Sequence, residues 1–255
     1  MKIAELEVSV NDYLTRISSV AEEIDTKKDF NVVQNAEDNF DIVFDNKIKL
    51  SSLLPPGILF KVDKHREPYA EVHWRDDTTI EPMNVNIDPD QLNRNNPRAL
   101  CYFAHELGHI LSVHEHYISV ERRELYDVPL QSRSEDNLEQ SIQYSLYAAS
   151  IGIQIELEAW NYGKAVYDLF GCDDSYYDSV MSNAIDSYVS TNFKQALREL
   201  DEKLEESSDG SRLELMNRTF KIFDINTQQI IDVRLSDILV LFHKIDQMED
   251  RMFEG

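Results

Sequence analysis

His105-Glu106-Leu107-Gly108-His109 sets two imidazoles four positions apart, with a carboxylate beside the first. On an α-helix of 3.6 residues per turn, positions 105 and 109 lie about 40° apart on one face, so their ring nitrogens can converge on one cation. Glu106, about 100° round from His105, can reach a water held there. This is the donor chemistry of a hydrolytic zinc centre, in which Zn²⁺ acidifies water and a carboxylate takes the proton. A catalytic zinc keeps three protein ligands and one open position, so a third ligand must come from elsewhere.

His114 and His116 are nearest. The extended pattern His-Glu-x-x-His-x-x-Gly-x-x-His needs Gly at 112 and His at 115, where this chain has Ser112 and Glu115. Both histidines are therefore read as solvated residues near a helix end, where positive character is mildly favourable. Further along, Glu156 and Glu158 lie in an apolar stretch from Ser145 to Phe170 that predicts a long, largely buried helix. Helical residues two apart point nearly opposite ways, so only one of these glutamates can face the metal. Glu156 shares its side with Ala149, Gly152, Ile153, Trp160, Gly163 and Tyr167, whereas Glu158 shares its side with Gln154, Asn161 and Asp168. The pattern predicts a buried Glu156, whose ionised form is tolerable beside a cation, and leaves Glu158 as the reserve ligand. Small residues on the Glu156 side also permit a close approach to the motif helix.

The motif needs a helix under it. Asn96-Pro97 reads as an N-cap followed by a proline at the first helical position, and good helix formers come next. Ala99, Leu100, Phe103, Leu107, Ile110 and Leu111 share one broad sector, while Tyr102, His105, Glu106 and His109 take the other. Upstream, Ile58–Val62, Tyr69–Trp74 and Met83–Ile87 read as strands, with a charged turn from Asp63 to Pro68. Helical spacing over residues 1–26 and from Ala184 to Leu204 places helices on both flanks, and the run from Ile230 to Phe242 reads as a strand or turn before a terminal helix. The expected fold class is α+β: a small, mostly antiparallel sheet beside the motif helix, flanked by N- and C-terminal helices. The expected organisation is an N-terminal helical or irregular segment over 1–57, a core over 58–172 and a mainly helical region over 173–255.

The residues His105-Glu-Leu-Gly-His109 and Glu156-Leu-Glu-Ala159 resemble the gluzincin-type zinc peptidases, and within them the ImmA/IrrE-like metallopeptidases of bacteria and phages. The resemblance covers roughly residues 58 to 172. It implies a zincin-like core, His105, His109 and Glu156 as zinc ligands, Glu106 as general base, and cleavage of one regulatory protein rather than broad digestion. The chain departs from the family in the 47 positions from His109 to Glu156 (156 − 109), a longer separation than is common there, and the charged stretch from Glu121 to Asn137 reads as an insertion beside the cleft. In such a core an edge strand can hold an extended peptide, and Met83–Ile87 is the candidate edge, with an ordinary interior strand as the alternative. Tyr102, His114, His116 and Tyr117 are the nearby candidates for stabilising an oxyanion.

Composition narrows the alternatives. A net charge of −23 over 255 residues argues against a nucleic-acid partner and for a protein or peptide substrate, with basic segments drawn by the field. No apolar run approaches the roughly 20 residues needed to cross a bilayer, and no basic-then-apolar leader is evident, so a cytoplasmic location is expected. Cys101 and Cys172 are too few for a disulfide framework and are read as reduced thiols, Cys101 one turn before His105. The expected function is zinc-dependent peptide-bond hydrolysis. Two rivals remain: a zinc-holding protein without turnover, a structural or interaction module of phage or toxin–antitoxin type, and a zinc-dependent hydrolysis other than proteolysis.

Overall fold

Asn96 ends an irregular stretch and its side-chain oxygen accepts the Ala99 N–H at 3.3 Å, which starts the motif helix where the sequence places it. The computed structural model describes residues 8–24, 30–36, 38–64, 69–71, 74–76, 79–80, 83–118, 138–205, 209–224, 226–227 and 229–240. The suspected insertion Glu121 to Asn137 and the end of the chain beyond residue 240 lie outside them. The fold is α+β. Contacts divide it into two units, neither contiguous in sequence: the described parts of 1–123 with 155–183, and of 124–154 with 184–255.

The first unit opens with α1 (Val10–Glu23), capped reciprocally: Ser9 Oγ accepts the Asp12 N–H at 3.3 Å, and the Asp12 carboxylate accepts the Ser9 N–H at 3.1 Å. Strands β1 (Asn31–Ala36), β2 (Asn39–Phe44), β3 (Ile48–Lys49), β4 (Ile58–Val62), β5 (Tyr69–Glu71), β6 (Trp74–Asp76), β7 (Thr79–Ile80) and β8 (Met83–Ile87) follow. The main sheet runs β1-β2-β4-β8-β5, with β3 also paired to β2. All its pairings are antiparallel except β4 with β8, which is parallel. Asp45 and Asn46, with φ of 48° and 57°, make the left-handed turn into β3, a conformation their short polar side chains tolerate.

Two sequence expectations change here. The first 57 residues are not merely helical or irregular, because β1 to β3 extend the main sheet. Nor is β8 an edge: it is paired on both sides, and Asn84 and Asn86 are as enclosed as Met83, Val85 and Ile87. Among the described residues, β5 ends the sheet on that side.

α2 (Pro97–Ile118) packs on β8 and β5. Its apolar face carries Phe103, which meets Phe60 of β4 edge-on with centroids 5.5 Å apart. Phe170 closes the same core against Phe30, Phe44 and Phe103. α3 (Leu138–Asp168) contributes Ile155 to Asp168 to this unit, and α4 (Asp174–Tyr188) adds Tyr177, which is fully enclosed.

The second unit gathers the start of α3, α5 (Lys194–Glu205), α6 (Asp209–Met216) and an antiparallel hairpin of β9 (Thr219–Asp224) and β10 (Gln229–Arg234). Ile142, Leu146, Leu197, Leu200, Leu204, Leu215, Phe220, Leu235, Ile238 and Leu239 form its core. Gln143 pairs with β9 as a strand would: its amide oxygen accepts the Lys221 N–H at 2.8 Å and its NH₂ donates to the Lys221 carbonyl at 2.7 Å. The C-terminal region, expected to be mainly helical, thus also holds a hairpin, with β10 and the helical residues 235–240 occupying the run read as strand or turn then helix. Among the described residues no helix is long and apolar enough to cross a membrane.

Candidate metal centre

The site depends on how closely two helices approach. A Cβ added at Gly108 of α2 would lie 1.8 Å from the Ala159 carbonyl oxygen of α3, and one at Gly163 would lie 2.5 Å from the Ala104 carbonyl oxygen. Position 104 therefore faces 163 and position 108 faces 159, so the helices cross antiparallel with their backbones in contact. That crossing brings Glu156 to the two motif histidines.

His105 Nε2 and His109 Nε2 lie 3.1 Å apart, and Glu156 Oε2 is 3.3 Å from the first and 3.4 Å from the second. Donor atoms around tetrahedral zinc, at ligand distances of about 2.0–2.1 Å, lie about 3.3–3.4 Å from one another. The three atoms are thus spaced as one face of such a tetrahedron. Glu156 Oε2 is itself buried and faces both nitrogens. The donor set, two imidazoles and one carboxylate, fits a three-ligand zinc centre. It is the one group of three or more such side chains, among the described residues, with atoms close enough to hold a metal ion. His109 and Glu156 keep 20% and 18% of their side chains exposed, so the group can be reached from solvent, while His105 is enclosed at 5%.

The charges are unevenly shared. Burial pushes Glu156 toward the neutral acid, but the two imidazoles outweigh it and hold the carboxyl well below its usual range, at about 2. For His105 burial prevails and lowers the pKa, keeping the ring neutral. Burial also acts to lower His109, yet the contact with Glu156 and the charges of Glu156 and Glu106 raise it above its ordinary value. Of the two imidazoles, His109 is the one whose surroundings favour the protonated form.

Glu106 lies on the adjoining face of α2, partly exposed, and its charge is felt at His109. Glu158 turns away from the triangle and accepts a hydrogen bond from Ser112 Oγ at 3.0 Å. It is also the more enclosed glutamate, at 7% exposure, which reverses the expectation that Glu156 would be the buried one. The wheel separates the two sides but does not show what covers them, and Ser112 of α2 covers the Glu158 side.

His114 is not solvated. It is completely buried; Nε2–H donates to the Val8 carbonyl at 2.8 Å, and the ring meets Tyr13 edge-on, which removes it from the oxyanion candidates. The side chains of His116 and Tyr117 lie outside the described residues. Tyr102 packs its ring edge-on against Trp160. Cys101 and Cys172 are free thiols, and burial pushes Cys101 up to about 11, so it stays a neutral thiol near pH 7.

Sequence reasoning missed two contributors, Gly108 and Trp160. The first resembles an unremarkable filler within the motif, and the second an ordinary core aromatic. Trp160 in fact stacks on the His105 ring. A signal for both existed in the small and flat residues shared by the Glu156 side of α3. Comparison with protein-family models, curated proteins and solved structures finds no match for this chain.

Proposed function

We propose that this chain is a zinc-dependent metallopeptidase that hydrolyses a peptide bond in a protein substrate, on a zincin-like core similar to that of the gluzincins. The observation that supports it most directly is the His105, His109 and Glu156 triangle, spaced as zinc donors and flanked by Glu106. These three residues would hold the ion and leave one position for water or substrate. When bound, zinc supplies Lewis acidity, lowering the pKa of water and polarising a carbonyl oxygen.

The remaining work falls to the chain. A Glu106 carboxylate oxygen accepts the proton of the attacking water and returns it to the leaving amine. Burial keeps His105 neutral, so its nitrogen lone pair is free to donate. Glu156, ionised well below neutral pH, adds the negative charge that two neutral imidazoles lack. β5, packed on α2 and paired among the described residues with β8 alone, offers backbone groups to an extended peptide. The charge of −23 favours a basic substrate segment.

The test compares wild type with Glu106→Gln, measuring zinc content by mass spectrometry and cleavage of a mixture of internally quenched peptides rich in Lys and Arg. Zinc is expected in both proteins, with cleavage about 10²- to 10⁴-fold slower in the variant. Undiminished cleavage by Glu106→Gln, or a wild type that takes up no zinc, would overturn the proposal. A zinc-loaded wild type that cleaves nothing in the mixture would favour an interaction module instead.

A further inference from the structure

His105 is the most enclosed member of the donor triangle, and its second nitrogen sets it apart. Nδ1 is buried and has no hydrogen-bond partner among the described residues. A ligand imidazole ordinarily donates this N–H to a carboxylate, carbonyl or water, which fixes the ring's rotation and tautomer. In this chain a flat surface takes the place of an acceptor. The indole of Trp160 lies on the His105 ring with centroids 4.2 Å apart and planes 24° from parallel.

Trp160 is itself well held. It is 1% exposed, and the rings of Tyr102 and Tyr177 abut it at 6.1 and 5.4 Å between centroids. The Tyr177 hydroxyl donates to the Trp160 carbonyl at 2.6 Å, bracing the backbone from α4. Trp160 also follows Glu156 by four residues, so one turn of α3 delivers both the carboxylate and the surface against which His105 rests.

We propose that Trp160 is a positioning residue for the metal-binding group: by stacking on His105 it fixes the imidazole plane with Nε2 directed at Glu156 and His109, in place of the missing hydrogen bond at Nδ1. This rests on the reading of His105, His109 and Glu156 as metal ligands. Stacking restrains the plane without drawing on the Nδ1 proton, so the ring gains orientation but not the added basicity that an acceptor would give. The requirement is for a flat face rather than for an indole, which separates Phe from Leu at this position.

The test titrates Co²⁺ into the metal-free wild type, Trp160→Phe and Trp160→Leu, following the visible d–d bands and checking each fold by circular dichroism. Trp160→Phe is expected to keep the wild-type bands and an affinity within about threefold, while Trp160→Leu loses about 10- to 100-fold and shifts the bands, as losing an outer-shell partner does. A purely structural role would lower the melting temperature and leave bands and affinity unchanged, which would overturn the proposal. Should Trp160→Leu not fold, Trp74→Phe makes Trp160 the only tryptophan, and Co²⁺ must then quench its fluorescence in step with the d–d bands; absence of quenching overturns the stack. A wild type that binds no Co²⁺ removes the metal reading and this proposal together, whereas equal binding by wild type and Trp160→Leu removes this proposal alone.

Discussion

Gly108 rests on the carbonyl of Ala159 so closely that a Cβ at 108 would stand 1.8 Å from that oxygen. The obstacle is backbone within a helix, which cannot turn aside as a side-chain tip could. Gly108 sits between the two histidines, so the helix contact and the donor triangle are set at the same turn. Gly108→Ala must force α2 and α3 apart, and Glu156 moves with α3. Overpacking of this kind costs about 1–3 kcal/mol, occasionally more, despite the better helix propensity of Ala. The expected result is a lower melting temperature together with weaker Zn²⁺ or Co²⁺ binding in isothermal titration. A variant as stable and as metal-competent as wild type would show that the crossing does not set the site.

Glu156 and Glu158 are two residues apart and have different neighbours. Glu156 faces both imidazoles, whereas Glu158 accepts from Ser112. Glu156→Ala is expected to lose zinc on dialysis, and Glu158→Gln to retain it. The Gln oxygen still accepts from Ser112, so that variant should lose no more than about 1 kcal/mol in urea unfolding. Zinc lost from Glu158→Gln but kept by Glu156→Ala would exchange the two roles.

A cation entering the triangle must displace the proton that Glu156 and Glu106 keep on His109, whose pKa is raised above 6.5. His105, lowered by burial, competes for a proton less than His109 does. Zinc affinity is therefore expected to fall as pH drops below the raised His109 value, about tenfold per unit for one displaced proton. Calorimetry in buffers of different ionisation enthalpy should find more proton released per zinc at pH 6 than at pH 8. Release that does not change with pH would show that zinc does not compete with a proton on His109.

The helix start and the relative rotation of the two glutamates were legible because they are local. Asn96-Pro97 caps α2 from within its own first turn, and a wheel separates Glu156 from Glu158 without reference to anything else. What was missed depends on partners distant in sequence. The wheel could not show that Ser112 would cover Glu158. The reason for Gly108 lies at Ala159, on another helix. β1 is largely exposed and lacks the alternation that marks a strand, and it is fixed instead by its pairing with β2. Met83–Ile87 alternates apolar and polar residues as a half-exposed strand would, yet both its faces are buried and both its edges paired. A strand's rank in a sheet depends on tertiary pairing, and composition does not encode it.

His114 carries a further consequence, in acid. Its Nε2–H donates to the Val8 carbonyl just before the Ser9 cap of α1, and its edge packs on Tyr13, so one buried side chain fastens α1 to α2. Nδ1 is buried with no partner among the described residues, which leaves the neutral ring as the form that fits. Protonation would create a charge and a donor with nowhere to go. Burial accordingly lowers the pKa below 6.5, with the Val8 carbonyl and the Glu115 charge offsetting only part of it. Because the unfolded chain takes up this proton at higher pH than the folded one, the stability is fully present above about 6.5. It is lost as pH falls from there toward the lowered folded value. Other histidines also contribute to the pH dependence, so the informative quantity is the difference between wild type and His114→Phe. At pH 8 the variant is expected to be about 0.5–1.5 kcal/mol less stable in urea, for want of the Val8 bond. Between pH 7 and 5 the gap should narrow, by about 1.4 kcal/mol for each unit by which folding lowers the pKa. Hydrogen exchange should show the amides of α1 losing protection first in wild type. A gap that stays constant with pH would show that His114 does not sense acid and that α1 is held by its other contacts.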